Sequence, residues 1–156
     1  MLASVESTYT DVMTAVFSST IAAKAWIATA AILLGVVQVS TGARIFGKLR
    51  RLVRIQGPWV NRVHRWSGRL AFLCTLPVAF HCIFILGFQT TDTRVFAHSL
   101  VGSFVYGVFA VKVFFVRDAD HPRWTLPLVG GTLFAVLVTL WGTSAYWYFT
   151  EVRFGF

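Results

Sequence analysis

Two histidines stand where the chain otherwise offers hydrocarbon and aromatic rings. The stretch "PVAFHCIFILGFQTTDTRVFAHSLVGS" (Pro77 to Ser103) places His81 and His98 in apolar runs on either side of a short polar turn. A buried imidazole needs a partner, and four chemistries are open to it: haem or metal ligation, a hydrogen bond that glues two helices, proton transfer, or zinc binding. Zinc wants a third protein ligand, and Cys82 is the nearest candidate. A proton relay normally uses intramembrane acids, and these runs have none. His81 lies a few residues before the turn and His98 a few after it. At 1.5 Å per residue this puts them roughly 10 Å and roughly 7 Å below the surface, nearly level on two antiparallel helices. Level imidazoles on separate helices are what a haem iron with two histidine ligands requires.

The neighbouring residues suit a flat ligand. Gly102 follows His98 by one turn and presents no side chain, and Ser99, Ser103 and Gly107 keep the same helix slim. Phe80, Phe84, Phe88, Phe96, Phe104 and Tyr106 are candidate walls. Arg94, one turn outward of His98, is placed to meet a carboxylate directed at the interface, with Gln89, Thr90, Thr91 and Thr93 as further polar groups. Pro77, one turn before His81, is a candidate kink that opens space for a ligand.

The elements that position these residues follow from composition. The chain has 156 residues, 56% of them hydrophobic, and a mean hydropathy of +0.69, above the range of soluble domains. Ala25–Ala43, Leu70–Thr91, Val95–Val111 and Trp124–Thr150 contain no Asp, Glu, Lys or Arg. Each approaches or exceeds the length needed to cross about 30 Å of hydrocarbon as a helix. Spans are expected over roughly 20–42, 63–88, 94–116 and 125–149, in an all-α up-down-up-down bundle forming one domain. The tight outer turn makes the second and third spans antiparallel neighbours.

The net charge of +8 is concentrated on one side. Arg44, Lys48, Arg50, Arg51, Arg54, Arg62, Arg65 and Arg69 lie in or beside the first connection, and Lys112, Arg117 and Arg123 flank the third. The positive-inside rule puts this side, including loop 43–62, in the cytoplasm and both termini outside a cell membrane. Such a loop, with Ile45, Leu49, Leu52 and Val53 among its cations, suits an anionic leaflet rather than nucleic acid. The N-terminus lacks the basic region of a secretory signal. Cys74 and Cys82 read as small buried hydrophobes, and no C-x-x-C-H is present for covalent haem. No nucleotide-binding motif is present.

At the inner end of the second span, "HRWSGRLAF" (His64 to Phe72) resembles the H-R-W-x-G-R segment of cytochrome b561-like and ferric-reductase-like membrane haem proteins. "LPVAFH" and "AHSLVG" resemble their histidine-bearing helices. The order of these motifs over residues 60–149 also resembles an uncharacterised four-helix actinobacterial membrane family. The resemblance implies a haem b with His81 and His98 as axial iron ligands. The larger group carries two haems, whereas the third span here has only His98, so one haem per chain is expected. A second would need His64 with His121, the less favoured arrangement.

The function expected is a cytochrome b subunit relaying single electrons near the outer face, part of an oxidoreductase system rather than a complete enzyme. Two histidine ligands leave no open position for oxygen. Its partners would be a quinol, an iron–sulfur protein, a cytochrome or a larger oxidoreductase complex, with Trp141, Tyr146 and Trp147 as candidate quinone contacts. The alternative is a non-redox accessory subunit, for which Gly130, Gly131 and Gly142 offer a close-packing face.

Overall fold

The computed structural model describes residues 2–47, 57–118 and 120–153. The fold is all-α, as expected. Five helices follow one another: α1 (Leu2–Thr14), α2 (Thr20–Ile45), α3 (Trp59–Phe80), α4 (Thr93–Arg117) and α5 (Thr125–Trp141). α3 continues into a π-helical turn at His81–Leu86, and α5 into two, Gly142–Tyr146 and Tyr148–Arg153. Four stretches are long and apolar enough to cross a membrane: Thr20–Ile45, Trp59–Leu86, Thr93–Arg117 and Thr125–Val152.

The four expected spans are therefore present, with shifted ends. α3 begins at Trp59, directly after Gly57 (φ +134°) and Pro58, because Arg62 and Arg65 are good helix formers once their heads reach polar surroundings. α2 and α4 start at side-chain caps, Ser19 accepting from Ala22 N and Asp92 from Val95 N. α1 was not expected. It packs on α2 and on the π turn of α3, where Tyr9 is buried and donates its hydroxyl to the Pro77 carbonyl at 3.2 Å. The amphipathic stretch expected around Lys48–Arg54 lies outside the described residues.

α2 is the spine. Its buried residues are small, Ala22, Ala23, Ala25, Ala31 and Gly35, and such residues let neighbouring backbones come close. α3 packs along one side of it and α5 along another, while α4 leans on α5. α3 and α4 are consecutive and joined by a short turn, yet they scarcely approach backbone to backbone. They are neighbours joined by side chains, and the backbone of each is held by a different helix. Large side chains bridge the gap at mid-height. Phe72 stacks on Phe109 with centroids 4.4 Å apart, and Tyr106 donates to Thr75 Oγ1 at 3.2 Å.

At the end carrying Arg44, Arg62 and Arg117, called the basic end here, a polar cluster ties three helices. Gln38 of α2 donates to the His64 carbonyl and to Ser67 Oγ of α3, and Lys112 of α4 donates to Gln38 Oε1 at 3.3 Å. At the opposite end, called the turn end, no such cluster among the described residues pulls α3 and α4 together.

The close approach of α2 to α5 predicts a specific cost. A Cβ at Gly35 would lie 3.3 Å from Phe134, so Gly35→Leu should overpack the contact and destabilise the bundle by about 1–3 kcal/mol. Thermal unfolding in detergent, followed by circular dichroism, should show a clearly lower midpoint. Gly107→Leu, whose Cβ meets nothing within 4 Å, should leave the midpoint unchanged or slightly raised.

Candidate functional site

The gap between α3 and α4 at the turn end is a cavity of about 440 Å³. α2 and α5 form its back, and the Thr75–Tyr106 bridge lies at its floor. Its walls are largely apolar, with Ile32, Val78, Ile83, Phe88, Leu137 and Leu140 among them. Two basic side chains, Lys24 and Arg94, line it together with His98, Gln89, Ser99 and Thr143. That combination of apolar walls and a few convergent polar groups is the usual make-up of a ligand site.

Three of the four residues expected at the site line the cavity: His98, Arg94 and Gly102. Gly102 lies in the cavity wall, where a Cβ would meet only Leu140, at 3.7 Å. His98 is held by α5. Its Nδ1 lies 2.9 Å from Thr143 Oγ1, in the π turn that follows α5. Arg94 has work beyond meeting a ligand. Its Nη1 donates to the Thr143 carbonyl at 2.7 Å, its guanidinium lies 4.2 Å from the Trp147 ring centre, and Asp92 approaches to 3.8 Å. Arg94 and His98, one turn apart, thus clasp the same residue of the π turn after α5, through its carbonyl and its hydroxyl.

His81 is placed differently. It is buried but not among the residues lining the cavity, and it faces α1 and α2. Its Nδ1 is 3.2 Å from Lys24 Nζ, and the Tyr9 ring covers it at a centroid distance of 4.8 Å. Lys24 links the two histidines: it bonds one, lines the cavity of the other, and lies within electrostatic range of both. The π turn explains the rotation. It begins at His81, four residues after Pro77, whose missing N–H already breaks the α-helical ladder. The wider turn directs Cys82 and Ile83 into the cavity instead.

The aromatic wall is smaller than expected. Phe88 and Tyr106 line the cavity, but Phe80, Phe84, Phe96 and Phe104 are exposed on the outer surface. Trp141 and Trp147 line it as well, whereas Tyr146 is exposed. His64 and His121 each have their own neighbours: His64 Nδ1 is 2.8 Å from Thr41 Oγ1, and His121 lies edge-on to Phe115. Among the described residues no group of three or more His, Cys, Asp or Glu is placed to hold a metal ion, which removes the zinc reading of His81, His98 and Cys82.

Sequence reasoning missed Lys24, Thr143 and Tyr9. Lys24 carried a usable signal, a lysine more than one turn inside an apolar helix. Thr143 carried none, because hydroxyls in apolar helices commonly satisfy themselves on the preceding turn.

Tyr9 gives this end of the molecule a pH dependence. Burial, and after it the nearby Cys82, holds the Tyr9 phenol above the usual tyrosine value, so the fold favours the neutral ring. The stabilisation of α1 is whole below the unfolded tyrosine value and is lost as pH rises through the raised one. A spin label on Ser7→Cys should therefore gain mobility only at strongly alkaline pH, and the added change Tyr9→Phe should abolish that step.

No curated protein and no solved structure matches the chain. One family model matches it over residues 3–156, nearly its whole length, and is described as a family of unknown function. The four apolar helices, the α3–α4 cleft and the residues that line it all fall within that match, and the chain belongs to this family, DUF6529.

Proposed function

We propose that the chain is a membrane b-type cytochrome subunit that relays single electrons, with haem b held in the α3–α4 cleft between His98 and His81. The observation that carries this reading is the cleft. A tight turn alone would bring α3 and α4 together, yet a cavity of about 440 Å³ opens between the two helices that bear the histidines. His98 fits the group from the cleft wall; His81, which faces α1 and α2, would have to turn toward the cleft to complete the pair. His98 sets Nδ1 against Thr143 Oγ1 at 2.9 Å, the arrangement in which Nε2 is the nitrogen that would be offered to a metal. Gly102 keeps one wall flat, and Arg94 supplies a permanent positive charge for carboxylates at the rim.

Haem b, when bound, supplies a one-electron couple whose potential is set by its axial ligands, burial and nearby charge. The chain's own groups do the rest. If His81 held the iron through Nε2, its ring proton would sit on Nδ1, and Lys24, 3.2 Å away, would have to face it as a neutral amine. Tyr9 covers the outer face of His81 and keeps lipid and water from it. Trp147 and Phe88 shield the mouth of the cleft. In this reading the basic end and loop 43–62 face the cytoplasm of a cell membrane, with the termini and the cleft at the outer side. Exposed side chains such as Leu33, Leu73 and Phe114 meet lipid. The redox partners are a quinol in the bilayer or a protein carrier such as an iron–sulfur protein, a cytochrome or a larger oxidoreductase, and nucleic acid is not a partner.

One observation favours a second reading, a non-redox subunit packed in a larger membrane complex. Cβ atoms at Gly130, Gly131 and Gly142 would meet nothing within 4 Å, so α5 carries an unfilled small-residue face suited to another helix.

Haem content per chain separates the two. The cytochrome reading predicts close to one haem in the purified wild type, loss in His98→Ala, and conversion from low-spin to high-spin haem in His81→Ala. The accessory reading predicts no haem in any of the three.

A further inference from the structure

We infer that Thr143 is a positioning residue: it fixes His98 in the tautomer that carries its proton on Nδ1 and leaves the Nε2 lone pair free. The inference follows from counting protons. Thr143 has one hydroxyl proton and two close neighbours, the Thr139 carbonyl at 2.7 Å and His98 Nδ1 at 2.9 Å. A carbonyl cannot donate, so the short Thr143–Thr139 contact holds the hydroxyl proton. Oγ1 is then an acceptor toward the ring, and His98 Nδ1 must be the donor. The Leu140 carbonyl, 3.2 Å from the same hydroxyl and itself hydrogen-bonded to the His98 ring, adds a second acceptor on that side and no donor, so it works with Thr143 in holding the ring proton.

Local structure puts Thr143 in this position. It sits in the π turn Gly142–Tyr146, where the change of helical pitch directs its side chain and its carbonyl toward α4. Arg94 donates to that carbonyl at 2.7 Å, which locks the register between α4 and the turn. His64 repeats the arrangement at the basic end. Thr41 lies 2.6 Å from the Val37 carbonyl and 2.8 Å from His64 Nδ1, so the same count assigns the same tautomer there. His81 differs, because the group facing its Nδ1 is the Lys24 amine. The two proposed ligands are therefore unequal. His98 presents a lone pair from the outset, whereas His81 does so only after a proton is rearranged with Lys24.

The tautomer can be read without any haem. Nitrogen NMR of the ¹⁵N-histidine-labelled chain in detergent, at a pH where the rings are neutral, should place the His98 proton on Nδ1. Thr143→Val should move it toward Nε2 while the His64 signal stays fixed, and Thr143→Ser should restore it. A wild-type His98 protonated on Nε2, or a ring indifferent to Thr143→Val, overturns the inference whether or not the chain binds haem.

The consequence for iron rests on the cytochrome reading and has its own readout. An acceptor on Nδ1–H makes the imidazole a stronger donor and favours the ferric state. Thr143→Val should keep its haem but shift the equilibrium about tenfold toward ferrous, a rise of about 59 mV in midpoint potential for one electron. An unchanged potential with bound haem overturns the positioning role. Absence of haem from the wild type overturns the cytochrome reading instead, and leaves the NMR result to decide the tautomer.

Discussion

Everything at the turn end depends on the small residues of α2. Ala22, Ala23, Ala25, Ala31 and Gly35 let α3 and α5 settle against one helix from different sides. With α4 committed to α5, no helix remains to draw α3 and α4 together. The aromatic contacts at Phe72, Phe109 and Tyr106 hold the gap at mid-height. At the basic end Gln38 and Lys112 close the bundle by hydrogen bonding. Above the aromatic bridge no described residue closes it, and the cleft is what remains. Buried hydrophobic bulk does not set this shape, since among the described residues no large side chain is fully buried.

The cleft is chemically one-sided. Lys24 and Arg94 line it and, among the described residues, no carboxylate does; Asp92 approaches Arg94 to 3.8 Å without lining the cleft. A basic group inside an apolar span is costly unless something satisfies it. Arg94 meets that demand through the Thr143 carbonyl and the Trp147 face, and Lys24 through His81. The resulting bonds cross-link α2 to the end of α3, and α4 to the end of α5, beside the cavity. π turns recur at these cross-links, one starting at His81 and one containing Thr143. They are where a side chain must leave the α-helical stripe to reach its partner.

The spans were legible because a helix in hydrocarbon must be long and free of charge, and four charge-free runs stand out. α1 was not, because only tertiary contacts such as Tyr9 with His81 and Pro77 hold it in place. His98, Gly102 and Arg94 were legible as polar, small and charged residues one turn apart on a single face. The orientation of His81 was not: an extra residue taken up by a π turn breaks the 3.6-residue count from which facing is inferred. The same rotation turned Phe84 to the surface and Cys82 into the cleft. Depth survives such a change and facing does not. The short turn made α3 and α4 legible as neighbours but not the gap between them, because loop length fixes where two helices meet and leaves their divergence to the helices around them.

The most direct test of the account is a reduced-minus-oxidised visible spectrum of the wild-type chain purified in mild detergent. The account predicts a sharp low-spin b-type α-band that appears on reduction and reverses on reoxidation. A featureless spectrum from protein that is folded and helical would contradict it, and would leave the cleft as the site of a colourless ligand or of none.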